Sequence, residues 1–219
     1  MKGLLRNGFY GVIDGARILL LLFLALGVTL LITGNATLFV VFALSSATLL
    51  ACNSASSFRK EASTKWIKYA LTTPVRKRDI IKSRYISHAY WALLGIALPL
   101  LFVFIAIAIH GNKFFYFEVR DPVAYFCLGF GIALFMGSIL YPLLYFWGTD
   151  KSELFLIMSL LGAIGLSIGI ITLLNANTTP DTMTDTEFFI GMIIYITTAI
   201  IAYILSYFLT VLIYKRKEY

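Results

Sequence analysis

The chain has very little charge. Only 13% of its 219 residues are Asp, Glu, Lys or Arg, and 60% are hydrophobic, whereas a soluble domain carries about 25% charged residues. Because so few charged side chains could not cover the surface of this protein in water, its main solvent must be lipid. Two cysteines, Cys52 and Cys127, are too few for a secreted disulfide scaffold. The apolar content excludes intrinsic disorder.

Several motifs that carry chemistry are also missing. The sequence has no Gly-x-x-x-x-Gly-Lys-Ser/Thr loop to bind phosphates and no His-Glu-x-x-His motif of a metalloprotease. A serine hydrolase within the membrane would need a Ser beside Gly and a His on a neighbouring span. Gly137-Ser138 is only a fragment of such a site, and we expect His88 and His110 to be interfacial residues at the two ends of one span. The sequence therefore predicts no catalytic, cofactor-binding or metal-binding residue.

Long uncharged runs locate the membrane spans, since one crossing takes about 20 apolar residues. The run between Arg17 and Arg59 is long enough for two crossings, with a turn at Gly34-Asn35. Residues 18–24 do not alternate between polar and apolar, which argues against a barrel. We predict an all-α integral membrane protein in which residues 1–219 form a single transmembrane domain. Its six spans are expected near residues 18–33, 36–57, 85–109, 123–147, 154–174 and 188–213.

The basic residues predict the orientation, because they concentrate on the cytoplasmic side. Nine of the 18 Lys and Arg residues lie in the loop 58–84, between spans 2 and 3. Placing this loop and both termini in the cytoplasm puts 16 of the 18 basic residues inside, with a net charge of +10 inside and −3 outside. The net charge of +7 thus reflects membrane orientation, and nucleic acid binding is not needed to explain it.

The predicted spans contain no Asp, Glu, Lys or Arg. Ion-coupled and proton-coupled transporters usually carry such residues within the membrane. If this protein moves a substrate uphill, the energy is therefore expected from a partner. Polar residues from Ser45 to Ser56 enrich the second span, and they either line a path or hydrogen-bond neighbouring helices, the second being the simpler explanation.

Small residues recur at four-residue spacing in two of the spans. The spacing lets helix backbones approach closely, either within one chain or between subunits. The predicted packing residues are Gly129, Ala133, Gly137, Gly165 and Gly169.

The loop 58–84 carries a pattern of its own. Ala62, Trp66, Tyr69 and Ala70 fall on one face of a helix, with charged and polar residues on the other. Pro74 ends this helix, and Thr73 is expected to cap a second helix that begins at Pro74 and runs into span 3. The apolar face of the first helix either anchors in lipid headgroups or fits a groove on a partner.

Residues 65–85 read KWIKYALTTPVRKRDIIKSRY. This segment resembles the loop of small type-2 ABC transporter permeases, which are bacterial six-span subunits. The likeness is greatest to permeases that export phenol-soluble modulins and related peptides in staphylococci. The chain departs from the family where Arg76-Lys77-Arg78 follows Pro-Val, because the family commonly has Ser-Arg there and its capping Ser is missing.

The resemblance implies a permease dimer, of two copies or a close paralogue pair, on two ATPase subunits that bind the ATP and Mg. The loop would be the coupling helix, with Trp66, Tyr69 and Leu71 as packing anchors and Lys65, Lys68 and Arg76 paired with acids. The full set of residues implied to contact the ATPase is Lys65, Trp66, Lys68, Tyr69, Leu71, Pro74 and Arg76. Residues 1–17 would form an interfacial elbow helix whose apolar face is Leu5, Phe9, Val12, Ile13 and Ala16.

The resulting prediction is the membrane subunit of an ATP-driven exporter in the bacterial cytoplasmic membrane. Its expected substrate is an amphipathic, membrane-active peptide such as a phenol-soluble modulin. Two alternatives remain open at this point. One is a membrane protein that works without ATP, such as a peptide-immunity protein or an assembly factor, and the other is an intramembrane hydrolase.

Overall fold

The structure, a computed structural model, describes residues 2–63, 76–111, 120–148, 151–175 and 183–216. All regular secondary structure in these residues is helical. The helices are α1 (Lys2–Thr33), α2 (Ala36–Ser63), α3 (Lys77–His110), α4 (Arg120–Trp147), α5 (Ser152–Leu174) and α6 (Asp185–Arg216). Each of the six contains a stretch long and apolar enough to cross a membrane. The predicted all-α architecture with six spans is confirmed.

Glycines at positive φ follow three of the helices, Gly34 after α1, Gly111 after α3 and Gly148 after α4. Gly34, at φ 59°, follows α1, and the side chain of Asn35 accepts a hydrogen bond from the Thr37 amide at 2.9 Å, which caps α2. The turn predicted at these two residues is confirmed. Gly148, at φ 94°, follows α4 in the same way, and its amide donates to the Leu144 carbonyl at 3.0 Å.

The last helix begins at Asp185, slightly before the span start that hydropathy places near residue 188. A reciprocal cap explains the difference. The Glu187 carboxylate accepts hydrogen bonds from the Thr184 amide and hydroxyl at 2.9 Å, and the Glu187 amide donates to the Thr184 hydroxyl at 3.3 Å. These contacts satisfy amides that have no partner within the helix.

The N-terminal segment packs on the bundle. Val12 and Ala16 are buried, and the Phe9 ring stacks on Trp91 of α3 with centroids 5.0 Å apart. Asn53 of α2 donates to the Val12 carbonyl at 3.1 Å. Since α1 is one continuous helix, it shows no boundary between an elbow and the first span, and the elbow of residues 1–17 stays a prediction.

The six helices pack in two connected groups. In one group α1, α2 and α3 contact each other, and in the other α4 packs between α5 and α6. Contacts of α2 with α4 join the groups, as do contacts of α3 with α4 and α6. One apolar core lies among α1, α2, α3 and the start of α4, while a second is built from α2 to α6. Polar residues concentrate within the second core.

Candidate functional site

A hydrogen-bonded polar cluster lies buried where α3, α4 and α6 meet. The Tyr85 hydroxyl is 2.8 Å from the Ser206 hydroxyl and 2.8 Å from the Thr210 hydroxyl. Ser206 also donates to the Ser138 carbonyl at 2.6 Å, and the Tyr203 hydroxyl donates to the Tyr85 carbonyl at 2.9 Å. These bonds connect side chains and backbone of three helices, so we call this cluster the polar junction.

His88 extends the polar junction on α3. Its side chain is fully buried, and its Nε2 lies 3.0 Å from the Ala133 carbonyl of α4. The ring stacks on Tyr203 at 5.8 Å between centroids and meets Tyr141 edge-on at 5.4 Å. His88 thus contacts Tyr203 of α6 with its ring face and the Ala133 carbonyl of α4 with its Nε2.

The prediction that His88 is interfacial is wrong, and two features explain the difference. His88 is one helical turn from both Arg84 and Ala92, and all three face the protein interior. Gly137 leaves the space that the imidazole occupies, because a Cβ there would lie 2.6 Å from His88 Nε2 and 2.8 Å from Tyr203. The absence of a side chain at Gly137 of α4 therefore allows His88 to lie in the protein interior.

The Ser and His residues at the polar junction do not form the catalytic site of a serine hydrolase. The Ser138 hydroxyl donates to the Phe135 carbonyl at 2.7 Å, while His88 Nε2 faces the Ala133 carbonyl. The nucleophile and the base that such an enzyme needs are thus each bound to a different backbone group. No cluster of metal-ligating side chains occurs in the part of the chain that the structure describes.

Sequence reasoning missed most of this junction. A signal was present in the last span, where Tyr203, Ser206 and Thr210 recur at i, i+3 and i+7 along one helical face. Arg84, just outside the predicted third span, is also buried and faces the interior. Hydropathy alone did not reveal that these residues converge.

The predicted packing residues fall in two different environments. On α4, a Cβ at Gly129 would lie 2.9 Å from the Ala43 carbonyl oxygen of α2, and Ala133 is fully buried. Gly137 adjoins His88 as described above. On α5, Gly165 and Gly169 have no atom within 4 Å of such a Cβ. The first set packs within the chain, and a role for the second set between subunits stays a prediction.

Of the residues predicted to contact the ATPase, only Arg76 lies within the described residues. The rest of the set, Lys65, Trp66, Lys68, Tyr69, Leu71 and Pro74, lies outside them. Arg76 is exposed, extended at φ −72° and ψ 138°, and its carbonyl accepts from the Asp79 amide at 2.8 Å.

The predicted start of the second loop helix at Pro74, with Thr73 as its cap, is therefore wrong for α3, because α3 begins at Lys77. Arg76 is its N-cap residue and makes no capping hydrogen bond with its side chain. This agrees with the capping Ser that the loop motif lacks. The start of α3 instead contacts α6, where the Arg78 Nε donates to the Tyr207 hydroxyl at 3.1 Å.

The opposite end of the bundle has a pocket of about 220 Å³ between the ends of α4, α5 and α6. At its rim the Arg120 guanidinium forms an ion pair with Asp185 and donates to the Met183 carbonyl at 2.9 Å. The pocket interior is mainly apolar. It is lined by Arg120, Asp121, Ile171, Leu174, Asn175, Met183, Phe188, Gly191 and Met192.

Comparison with known proteins identifies the family. Residues 3–215, nearly the whole chain, match the family described as ABC-2 family transporter protein. The chain belongs to the ABC-2 transporter family. No curated protein and no solved structure matches it.

Membership of this family establishes the general role of the protein. A member of the ABC-2 family is the membrane-spanning permease of an ABC transporter, and it is a transport component that is not itself catalytic. Membership also implies an ABC ATPase as the partner. The six apolar helices agree with a multi-pass membrane protein. The polar junction is thus a candidate site within a permease.

Proposed function

We propose that this ABC-2 permease exports amphipathic, membrane-active peptides of the phenol-soluble modulin type. The observation that carries the general role is the family match over residues 3–215. The resemblance of residues 65–85 to the loop of peptide exporters supports the substrate class. Spans without a formal charge suit a path for a largely apolar peptide.

The pocket between the ends of α4, α5 and α6 is also compatible with a peptide substrate. Met183 and Met192 line it together with Phe188. Methionine side chains are flexible and adapt to differently shaped apolar groups. An exporter of several related peptides would benefit from such a wall, because their apolar side chains differ in size.

The proposed assembly contains two permease copies, or this chain and a close paralogue, together with two ATPase subunits. The loop 58–84 is proposed to be the coupling element, which would rest in a cleft of the ATPase. Its nine basic residues could pair with acids on that partner. On α5, the open face at Gly165 and Gly169 is a candidate contact between the two permeases.

The isolated permease is expected neither to bind nor to hydrolyse ATP, because the chain has no phosphate-binding loop. Purification of the native complex followed by mass spectrometry should recover an ABC ATPase, and ATP hydrolysis should appear only with that subunit. Export of a phenol-soluble modulin from cells, with and without the permease, then tests the substrate. ATP turnover by the isolated chain, after contaminants are excluded, would contradict the division of labour. A complex without an ATPase would favour a membrane protein that works without ATP.

We further propose that both termini and residues 58–84 are cytoplasmic, in a bacterial plasma membrane. The support is the 16-to-2 distribution of basic residues. Single cysteines at Ser63 and Thr179, in a background without Cys52 and Cys127, should label from inside and outside respectively. Labelling of the Ser63→Cys variant by an impermeant reagent in intact cells would place residue 63 outside the cell and so contradict this orientation.

A further inference from the structure

Close backbone contacts hold α2 against α3 and α4 near the middle of α3. A Cβ at Gly95 of α3 would lie 2.6 Å from the Ala47 Cα of α2. A Cβ at Gly129 of α4 would lie 2.9 Å from the Ala43 carbonyl oxygen of α2. Ala43 and Ala47 are about one helical turn apart, so both contacts lie at nearly the same level of α2. Backbones this close cannot shift past each other without separating, so a tilt of α3 relative to α4 has to pivot at this level.

Polar side chains connect α3 with α6 on the side of this level that leads to the loop 58–84. The first contact is the hydrogen bond from Arg78 to Tyr207, and the next ones surround Tyr85, about 15 Å along α3 from Gly95. We call the whole set the polar seam, and it consists of Arg78, Tyr85 and His88 on α3 with Tyr203, Ser206, Tyr207 and Thr210 on α6. The seam therefore joins one helix of each group at the end of the bundle next to the loop.

Two α6 hydroxyls of the polar seam have a hydrogen-bond partner that does not depend on α3. Ser206 donates its hydrogen to the Ser138 carbonyl of α4 at 2.6 Å, and Thr210 donates its hydrogen to the Ser206 carbonyl of α6 at 2.8 Å. A hydroxyl has only one hydrogen to donate, so the contacts of both residues with Tyr85 use the hydrogen of Tyr85. If α3 moves away, Ser206 and Thr210 keep their carbonyl partners.

Entry of water into the polar seam would satisfy the groups that lose a partner when α3 moves away. These groups are the Tyr85 hydroxyl, the Tyr203 hydroxyl, which donates to the Tyr85 carbonyl, and the His88 Nε2. Water-mediated hydrogen bonds are nearly as favourable as direct ones. In the closed seam the His88 Nδ1 is buried and has no hydrogen-bond partner among the described residues, which is unfavourable. Hydration of this nitrogen offsets part of the free energy that opening requires.

We propose that the polar seam is a gate at the loop end of the permease. α3 tilts about the close contact at Gly95, the seam opens between α3 and α6, and water reaches Tyr85 and Thr210. The contact of α4 with α6 at Ser138 stays closed. Arg78 lies both in the seam and in the loop 58–84, so the response of the gate to nucleotide rests on the proposed coupling role of that loop. Opening of the seam itself depends neither on that role nor on the proposed peptide substrate.

Thiol labelling of the purified chain tests the polar seam without the ATPase. Thr210→Cys, in a background without the two native cysteines, places a thiol at a fully buried position of the seam, and a charged methanethiosulfonate reagent reaches it only when water does. Adding Tyr85→Phe removes the hydroxyl that joins the two helices and keeps the ring, so labelling should become about fivefold faster. The matched control Tyr195→Phe removes a hydroxyl that lies 2.8 Å from the Ser167 hydroxyl of α5, within one helix group. This control should leave the labelling rate unchanged.

The same thiol reports on the gate in the complex of the permease with its ATPase. Labelling of Thr210→Cys is compared without nucleotide and with a non-hydrolysable ATP analogue. One of the two states should label about tenfold faster than the other, because a minor open state becomes the main one. Ala199→Cys is the matched control, since Ala199 is also fully buried on α6 but lies about three turns along the helix from Thr210. Its labelling should stay slow in both states.

Three results would overturn the gate. The first is equal labelling of Thr210→Cys in the Tyr85→Phe and Tyr195→Phe backgrounds. The second is slow labelling of Thr210→Cys in both nucleotide states of a complex that retains the ATPase. The third is an equal acceleration of Ala199→Cys, which would indicate a general loosening of the bundle. Neither experiment measures export, so an error in the proposed peptide substrate would leave both results unchanged.

Discussion

Replacing Trp66 and Tyr69 together by Ala is expected to detach the ATPase from the permease. Buried aromatic anchors at interfaces commonly cost about 2 kcal/mol or more each on truncation. Two such losses, if additive, would weaken docking by a factor of roughly several hundred. Insertion and topology should be normal, since the loop lies outside the spans and keeps its nine basic residues. Co-purification of the ATPase and export of peptide should both fall.

A matched control is available at the end of α4. Phe146 and Trp147, the last two residues of α4, are 55% and 62% exposed and lie outside the loop 58–84. Replacing both by Ala removes a similar aromatic area, so ATPase binding should be retained. If the Trp66→Ala, Tyr69→Ala double variant also keeps full ATPase binding and export, the loop helix is only a lipid-anchored, positively charged connection.

The second large effect is expected from Gly95→Ala in the middle of α3. A Cβ at this position would lie 2.6 Å from the Ala47 Cα and 2.7 Å from the Ser46 carbonyl oxygen of α2. Both atoms belong to the backbone, so no side chain can move aside and the two helices must separate. Such overpacking costs about 1–3 kcal/mol. The variant should therefore unfold at a lower temperature in detergent than the unaltered chain.

Gly191→Ala is the control for this prediction. Gly191 is also within a helix, but nothing lies within 4 Å of the Cβ that the substitution adds. Its stability should be unchanged or slightly raised, because Ala favours a helix over Gly by up to about 1 kcal/mol. Equal melting temperatures for the two variants would mean that the close approach of α2 and α3 does not limit stability.

The last residues of the loop 58–84, from Lys77 onward, lie on the same helix, α3, as Tyr85 and His88 of the polar junction. Tyr85 and His88 lie about two to three turns after Lys77, where α3 begins within the proposed coupling element of residues 58–84. Their contacts reach Ala133 on α4 and Ser206 on α6. The part of the permease closest to the loop is therefore tied by hydrogen bonds to two helices of the other group.

The sequence by itself determined the number of spans, the turn at Gly34 and the basic loop 58–84. These depend on the order of residues along the chain. A bilayer of fixed thickness requires a minimum apolar length, and a left-handed turn favours glycine. The loop motif also pointed to an ABC permease, which the family match over residues 3–215 supports.

Only the tertiary structure decided which face of each span is buried. Lipid is as apolar as a protein core, so a spanning helix needs no contrast between its two sides. Ile200 and Ile204 of α6 are exposed while Ala199 and Tyr203 beside them are buried, a difference that hydrophobicity does not predict. The burial of His88 and the close approach at Gly95 both depend on which faces meet, and each required the neighbouring helix to be in place.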